Sequence, residues 1–109
     1  MSCSDTHSQY IQNGIKYERP ADAKYILQVD GDILLEEFEG FANIYKSKVV
    51  WRDDGYIVAV QHDQIGGSGI STVSLAFKES GPVLVTRMYV DATTETTSSF
   101  FSQCKKISR

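Results

Sequence analysis

The sequence predicts a mainly β fold: an antiparallel meander that forms a small curled sheet or barrel, with one or two short helices. Runs of β-branched and aromatic residues recur along the chain, separated by short turn signatures that contain Gly, Asp or Pro. The connections are too short for the crossovers that parallel strands require. With 109 residues the chain forms one domain with a modest core, and an α+β class stays open because two segments also fit helices.

The first part of the chain is polar and closes with the sequence Pro-Ala-Asp-Ala. Its composition predicts a polar N-terminal tail or tether over residues 1–23, with a short strand or turn at 14–17. We therefore expect a single globular β-rich domain over residues 24–109.

The domain opens with a strand over residues 25–29, which stops at the tight-turn signature Asp30-Gly31-Asp32. The next segment, 33–45, fits a helix, because its apolar residues recur at spacings of four, three and four. Those residues are Leu34, Phe38, Phe41 and Tyr45. Gly40 opposes a helix by about 1 kcal/mol relative to Ala. The alternative is a short helix or turn followed by a strand from residue 41.

Two hairpins follow this ambiguous segment. Strand-like residues 49–51 and 56–62 flank Asp53-Asp54-Gly55, a turn sequence that tolerates positive φ. Residues 71–78 and 83–90 then alternate apolar and polar side chains on either side of a Gly-Pro turn. Both pairs of strands are predicted to be antiparallel neighbours.

The last part of the chain again fits two structures. After a Thr-rich loop, residues 98–107 form either a helix or a final strand. The residues that fall at helical spacing there are Phe100, Cys104 and Ile107.

The two cysteines, Cys3 and Cys104, stand near the two ends of the sequence. A bridge between them would close a loop of about 100 residues, for which chain entropy predicts a stabilisation of ~4.7 kcal/mol. The segment Ser2-Cys3-Ser4-Asp5 resembles, over these four residues, the processing site of a bacterial lipoprotein, which implies a lipid on Cys3. Because a lipidated sulfur cannot also form the bridge, a disulfide, a lipid anchor and free thiols are three alternatives.

Composition and motifs argue against several classes of function. The net charge of −3, without a basic stripe, argues against nucleic-acid binding. No spacing typical of a zinc site, a calcium loop or a phosphate-binding loop occurs, so no metal or cofactor is expected. His62 precedes Asp63, but adjacent strand residues point to opposite faces. We expect a protein that is not an enzyme, and keep a small hydrolase that uses His62 as an alternative.

An acidic segment and a glycine-rich segment are the candidate binding surfaces. Five acidic residues lie close together with no basic residue among them: Asp30, Asp32, Glu36, Glu37 and Glu39. Such a run favours docking of a cationic protein, because complementary charge speeds association and sharpens the choice of partner. The second surface is a loop that contains Gly66, Gly67 and Gly69.

Together these features predict a non-enzymatic protein-binding module of the bacterial cell envelope or periplasm, such as a small lipoprotein or an inhibitor or immunity-type protein. Its expected partner is another protein, with a cationic surface favoured, and contact with a membrane is expected only through a lipid on Cys3. The alternative is a small acidic cytosolic antagonist of a host protein, encoded by a phage or plasmid, with reduced cysteines.

Overall fold

Nine antiparallel strands form one sheet that closes on itself in the computed structural model, which describes residues 1–19, 22–61 and 69–106. In chain order the strands are β1 (Ser2–Gln12), β2 (Ile15–Arg19), β3 (Lys24–Asp30), β4 (Ile33–Phe38), β5 (Ile44–Arg52), β6 (Tyr56–Gln61), β7 (Ile70–Ala76), β8 (Val83–Asp91) and β9 (Thr96–Lys105). From β3 to β9 each strand pairs with the next, which confirms the predicted meander and mainly β fold. The predicted short helices are wrong, since the described ranges contain none.

Strand β1 closes the barrel, because it pairs with β9 along one edge and with β2 and β3 along the other. Residues 2–4 lie beside β3 and residues 8–12 lie beside β2, so β2 and β3 follow one another along the same edge of β1. The barrel therefore has eight strands around its circumference. The interior of an eight-stranded barrel is filled by side chains or holds one small ligand.

The predicted polar tail over residues 1–23 is corrected by this pairing, because β1 joins the two ends of the sheet. Its polarity has a structural cause: Asp5 and Ser8 face inward and are buried, as Cys3 is. A bulge between Asp5 and His7 shifts the alternation by one residue. The period of two that marks a strand is therefore interrupted in the sequence.

The helical alternatives at 33–45 and 98–107 are also corrected, since these segments lie in β4, β5 and β9. Residues four apart share a face in a helix and in a strand alike, so the pair Leu34 and Phe38 fits β4 equally well. The step of three from Phe38 to Phe41 leads out of β4 into the turn before β5. Gly40 has a φ of 87°, which an α-helix does not allow, and it lies in the turn between β4 and β5. Ile107, the last residue of the second pattern, lies outside the described residues.

The predicted turns are confirmed. Gly31, at a φ of 60°, joins β3 to β4 in the Asp30-Gly31-Asp32 turn. In the Asp53-Asp54-Gly55 turn, the Asp53 Oδ1 atom accepts hydrogen bonds from the backbone N–H groups of Gly55 and Tyr56, both at 2.8 Å. Both turns lie at the same end of the barrel, which we call the lower end; the opposite end is the upper end.

The barrel interior has an apolar lower half and a polar upper half. The buried apolar side chains point inward at alternate positions of the strands, as their pattern predicts. They are Cys3, Tyr25, Leu27, Leu34, Ile57, Ala59, Val73, Leu75, Val83, Val85 and Cys104. The next inward positions along β1, β4, β8 and β9 are polar: Asp5, Glu36, Arg87 and Ser102. The change from apolar to polar within single strands creates the candidate site.

A disulfide joins Cys3 to Cys104, as one of the sequence alternatives predicted. The two residues face each other across β1 and β9, and both are buried. The bond therefore crosses the pairing that closes the barrel, and it excludes a lipid on the Cys3 sulfur in this structure. It also links two positions 101 residues apart in the chain.

Replacing both cysteines by Ala is expected to lower the free energy of unfolding by about 2–4 kcal/mol, because the unfolded chain loses its longest constraint. Urea unfolding followed by circular dichroism would measure this. Reductant supplies the control: the reduced wild type should fall to the stability of the double variant. Equal stability of the oxidised wild type and the double variant would contradict the prediction.

Candidate functional site

A cavity of about 300 Å³ opens at the upper end of the barrel, and we call it the mouth cavity. It is lined by residues from β1, β4, β5, β6, β7, β8 and β9 and from two connections: Asp5, Ala23, Glu36, Phe38, Phe41, Tyr45, Gln61, Ser71, Arg87 and Phe100. Barrel mouths are a common place for small-ligand sites, and this volume lies at the lower limit for such sites.

An ion pair between Glu36 and Arg87 forms the floor of the mouth cavity. The Oε2 atom of Glu36 contacts the Nη2 atom of Arg87, and Glu36 is only 1% exposed. Among the described residues neither of these two atoms has a hydrogen-bond partner apart from this contact. Each charge is therefore held in the interior chiefly by the other, at the point where the apolar core ends.

The Arg87 guanidinium is also held by aromatic rings. Its central carbon lies 4.8 Å from the ring centre of Phe38 and 5.4 Å from that of Tyr25. Burial lowers the pKa of Arg87, while the nearby Tyr25 and Asp5 act in the opposite direction. An arginine keeps its proton under these conditions, so Arg87 is the positive member of the ion pair in the cavity floor.

Asp5 brings a second carboxylate to the cavity. It faces Ser102 across the β1–β9 pairing, and the Ser102 hydroxyl donates a hydrogen bond of 2.5 Å to its Oδ1 atom. Asp5 is 8% exposed. In the described ranges no side-chain cation forms an ion pair with it, although Arg87 senses its charge. The cavity thus contains two carboxylates and one guanidinium.

Aromatic side chains from β4, β5, β9 and the β4–β5 turn line the walls of the cavity. The rings of Tyr25 and Phe38 stack at 4.7 Å, and the Tyr45 ring meets Phe38 edge-on at 5.7 Å. Phe41 and Phe100 complete the aromatic lining. The site therefore combines a charged floor with aromatic walls.

The five predicted acidic residues do not form one surface. Asp30 and Asp32 are exposed at the lower end, whereas Glu37 and Glu39 are exposed toward the upper end. The backbones of Asp32 and Glu37 are about 17 Å apart, because the chain between them runs along β4 and rises ~3.4 Å per residue. Glu36 is corrected as a surface residue: it alternates with the exposed Glu37, and its side chain points into the barrel.

The glycine-rich loop is only partly described. Gly66 and Gly67 lie outside the described residues, as does His62, so the predictions for these residues stay predictions. Gly69 is described and buried: a Cβ atom there would lie 2.4 Å from the Tyr89 ring. The Tyr89 hydroxyl donates to Asp91 Oδ2 at 2.9 Å. Gly69 therefore serves close packing against this side chain.

Sequence reasoning missed Arg87 as a site residue, although a signal for it exists. Arg87 continues the inward series of Val83 and Val85. A charged residue in phase with a buried apolar series needs a buried partner, because an unpaired charge in the interior is costly. The partner is Glu36, which likewise follows the buried, inward-facing Leu34 by two residues on β4.

A second feature lies on the outer surface at the lower end, and we call it the Trp51 face. It consists of four exposed apolar residues: Ile33, Val50, Trp51 and Tyr56. A bulge between Val49 and Trp51 turns both Val50 and Trp51 outward, with Trp51 opposite Val58 on β6. Asp30, which pairs with Ile33, borders the face.

The turns beside the Trp51 face are held together. An Arg52 Nη1 donor reaches the Gly31 carbonyl at 3.3 Å, and the Val49 N–H donates to the Asp32 carbonyl at 2.8 Å. These bonds join the β3–β4 turn to the end of β5. The exposed aspartates of the turn are therefore fixed beside the exposed Trp51 side chain.

Within the described ranges no group of three or more His, Cys, Asp or Glu side chains is arranged to hold a metal ion. The described ranges also contain no helix long and apolar enough to cross a membrane. Comparisons with protein-family models, with curated proteins and with solved structures found no match. The candidate sites therefore depend on the geometry of this chain alone.

Replacing Glu36 by Gln is expected to lower the free energy of unfolding by about 3–5 kcal/mol, because it leaves the Arg87 guanidinium buried without its counter-charge. The double variant Glu36→Leu/Arg87→Met removes both charges and should lose less than the single variant. Urea unfolding would measure both. Glu37→Gln, on the outward face of the same strand, is the control and should change stability by less than about 0.5 kcal/mol. Equal losses in the Glu36 and Glu37 variants would contradict the prediction.

Tyr25 is expected to make stability pH-dependent in the alkaline range. Burial raises the pKa of Tyr25 above its ordinary value of 10.0, and Ser102 and Arg87 act in the opposite direction. The unfolded chain loses this proton at a lower pH than the folded chain does. The contribution of Tyr25 to the free energy of unfolding is therefore complete below its ordinary pKa and is lost as pH rises through the folded-state pKa. Tyr25→Phe removes this loss. Urea unfolding of both proteins between about pH 9 and 11 would test it; a constant difference in stability across that range would contradict it.

Proposed function

We propose that this protein is a non-enzymatic protein-binding module of the bacterial cell envelope, and that it docks on its partner through the Trp51 face. The observation that carries the proposal is the exposure of two large aromatic side chains beside each other. Trp51 is 61% exposed and Tyr56 is 59% exposed. Trp and Tyr are the residue types most enriched among those that dominate the energy of protein–protein interfaces.

The arrangement around these aromatics supports a docking role. Val58 lies between them on the outer face of the sheet, opposite Trp51 and two residues from Tyr56. Trp51 and Tyr56 are therefore diagonal neighbours, close enough to contact one partner surface together. Ile33 and Val50 extend the apolar area. A rigid sheet presents these side chains with little loss of backbone entropy on binding.

The charges near the Trp51 face favour a partner with a cationic rim. Four aspartates are exposed at this end, Asp30, Asp32, Asp53 and Asp54, whereas the nearby bases are Lys48, Arg52 and Lys78. One of these bases, Arg52, already bonds to the Gly31 carbonyl. A local excess of carboxylates raises the association rate with a basic surface, and the effect weakens as salt screens it.

The disulfide favours an oxidising compartment over the cytosol. This supports the envelope proposal and weighs against the alternative of a cytosolic antagonist with reduced cysteines. Intact mass gives a direct check on protein recovered from its native source, because the oxidised form is lighter than the reduced form by two hydrogen atoms.

Capture of a partner from envelope extract tests the docking proposal. Three immobilised baits should be compared: the wild type, Trp51→Ala, and Ile70→Ala, which removes a comparably exposed residue from another part of the outer surface. We expect a partner bound by the wild type and by the Ile70 variant to bind the Trp51 variant about thirtyfold more weakly, the loss typical of a dominant interface residue. Measured affinities of the purified partner would give the ratio.

The outcome that contradicts this proposal is equal affinity of the Trp51 and Ile70 variants for every captured protein. Raising the salt concentration provides a second readout, since the association rate of a cationic partner should fall. An association rate that does not depend on salt would contradict the cationic rim of the partner but would not contradict apolar docking on the Trp51 face.

A further inference from the structure

The mouth cavity lies at the opposite end of the barrel from the Trp51 face and is independent of the docking proposal. We propose that it is a binding site for an organic ammonium group, carried either by a small amine or by the lysine side chain of a peptide. The charges of the cavity, its aromatic lining and its size all favour this ligand class.

The charges of the cavity are unbalanced. Glu36 and Arg87 neutralise each other through their direct contact, which leaves Asp5 as the excess charge. Asp5 is more than nine-tenths buried, and the hydrogen bond from Ser102 comes from a neutral hydroxyl. A buried carboxylate is stabilised far more by a cation than by a neutral donor alone. A ligand that brings a positive charge to the cavity would supply that cation.

The aromatic lining favours the same ligand class. Arg87 already occupies the faces of Tyr25 and Phe38, but Phe41, Tyr45 and Phe100 also line the cavity. The face of an aromatic ring carries partial negative charge and attracts a cation, and such rings are the usual lining of sites for alkylated ammonium groups. The carbon chain of an amine would contact the same rings through its apolar surface.

Glu36 also makes the cavity unfavourable for anions. A carboxylate or phosphate ligand would need Arg87, and the Oε2 atom of Glu36 already contacts that guanidinium. Binding an anion would break the pair and leave the Glu36 carboxylate buried beside a second negative group. Repulsion between these two negative groups disfavours anionic ligands. The volume of about 300 Å³ accommodates a short alkyl ammonium and excludes large ligands from full burial.

The test is a matched titration of isotope-labelled protein, followed by amide chemical shifts. Three probes of equal chain length differ in charge: n-butylammonium, n-butanol and butanoate. We expect n-butylammonium to bind about tenfold more tightly than n-butanol, as a cation–π contact and one excess carboxylate predict, and butanoate to bind most weakly. Shift changes should centre on residues that line the cavity, such as Gln61 and Ser71.

Two variants locate the preference. Asp5→Asn keeps an acceptor for Ser102 and removes the excess charge, so the preference for n-butylammonium over n-butanol should fall well below tenfold, to the part that the aromatic rings supply. Glu39→Gln is the matched control, because it removes an exposed carboxylate near the upper end without entering the cavity. It should keep the tenfold preference.

A third variant keeps the test decisive if Asp5→Asn fails to fold. Ala23 is exposed and lines the cavity, so Ala23→Trp should block it and abolish binding of the ammonium probe. Ala92→Trp makes the same change at an exposed residue in the β8–β9 turn, outside the cavity lining, and should bind like the wild type.

A short peptide with one central lysine separates the two sources of the ammonium group. Binding as tight as that of n-butylammonium indicates a lysine side chain, and binding by the free amine alone indicates a small metabolite. The proposal is overturned if n-butanol binds as tightly as n-butylammonium, if butanoate binds most tightly, if no probe binds, or if the shifts centre outside the cavity. None of these outcomes affects capture through the Trp51 face.

Discussion

The pairing of β1 with β9 is the constraint on which the rest of the structure depends. It converts a meander into a closed barrel, and it brings Cys3 opposite Cys104 and Asp5 opposite Ser102. An open sheet would leave the inward side chains of its edge strands in water, whereas closure encloses them on all sides. The disulfide fixes this pairing between two residues that are far apart in the chain. The apolar core and the mouth cavity both form because this pairing closes the barrel.

The interior of the barrel combines two environments in one short stack of side chains. The lower half is filled by Leu, Ile and Val residues and stabilises the fold by removing apolar surface from water. The upper half holds two carboxylates and a guanidinium, a set that stabilises a fold less than well-packed apolar residues of similar volume would. The upper half therefore adds little to stability, and the ammonium site that we propose there depends on its excess carboxylate and its aromatic lining.

Local signals predicted most of the strands and turns, and non-local ones decided the site. The turn at Asp53-Asp54-Gly55 follows from residues next to each other, whose side-chain and backbone hydrogen bonds close it without help from the rest of the chain. β1 was missed because its inward residues are polar and its alternation is broken by a bulge. Glu36 appeared to belong to an acidic surface, since a run of acids gives no indication of which member faces inward until the strand and its register are known.

The amino-acid sequence by itself determined the class of fold, the lower-end turns and a cysteine pair able to form a bridge, because alternation, turn propensity and cysteine count are properties of neighbouring residues or of composition. Only the tertiary structure decided that the sheet closes, that Glu36 meets Arg87 and that Trp51 and Tyr56 stay exposed together. Those outcomes depend on which strands become neighbours and on their register. Pairing of that kind is set by the free energy of the whole barrel and is not encoded in any single segment.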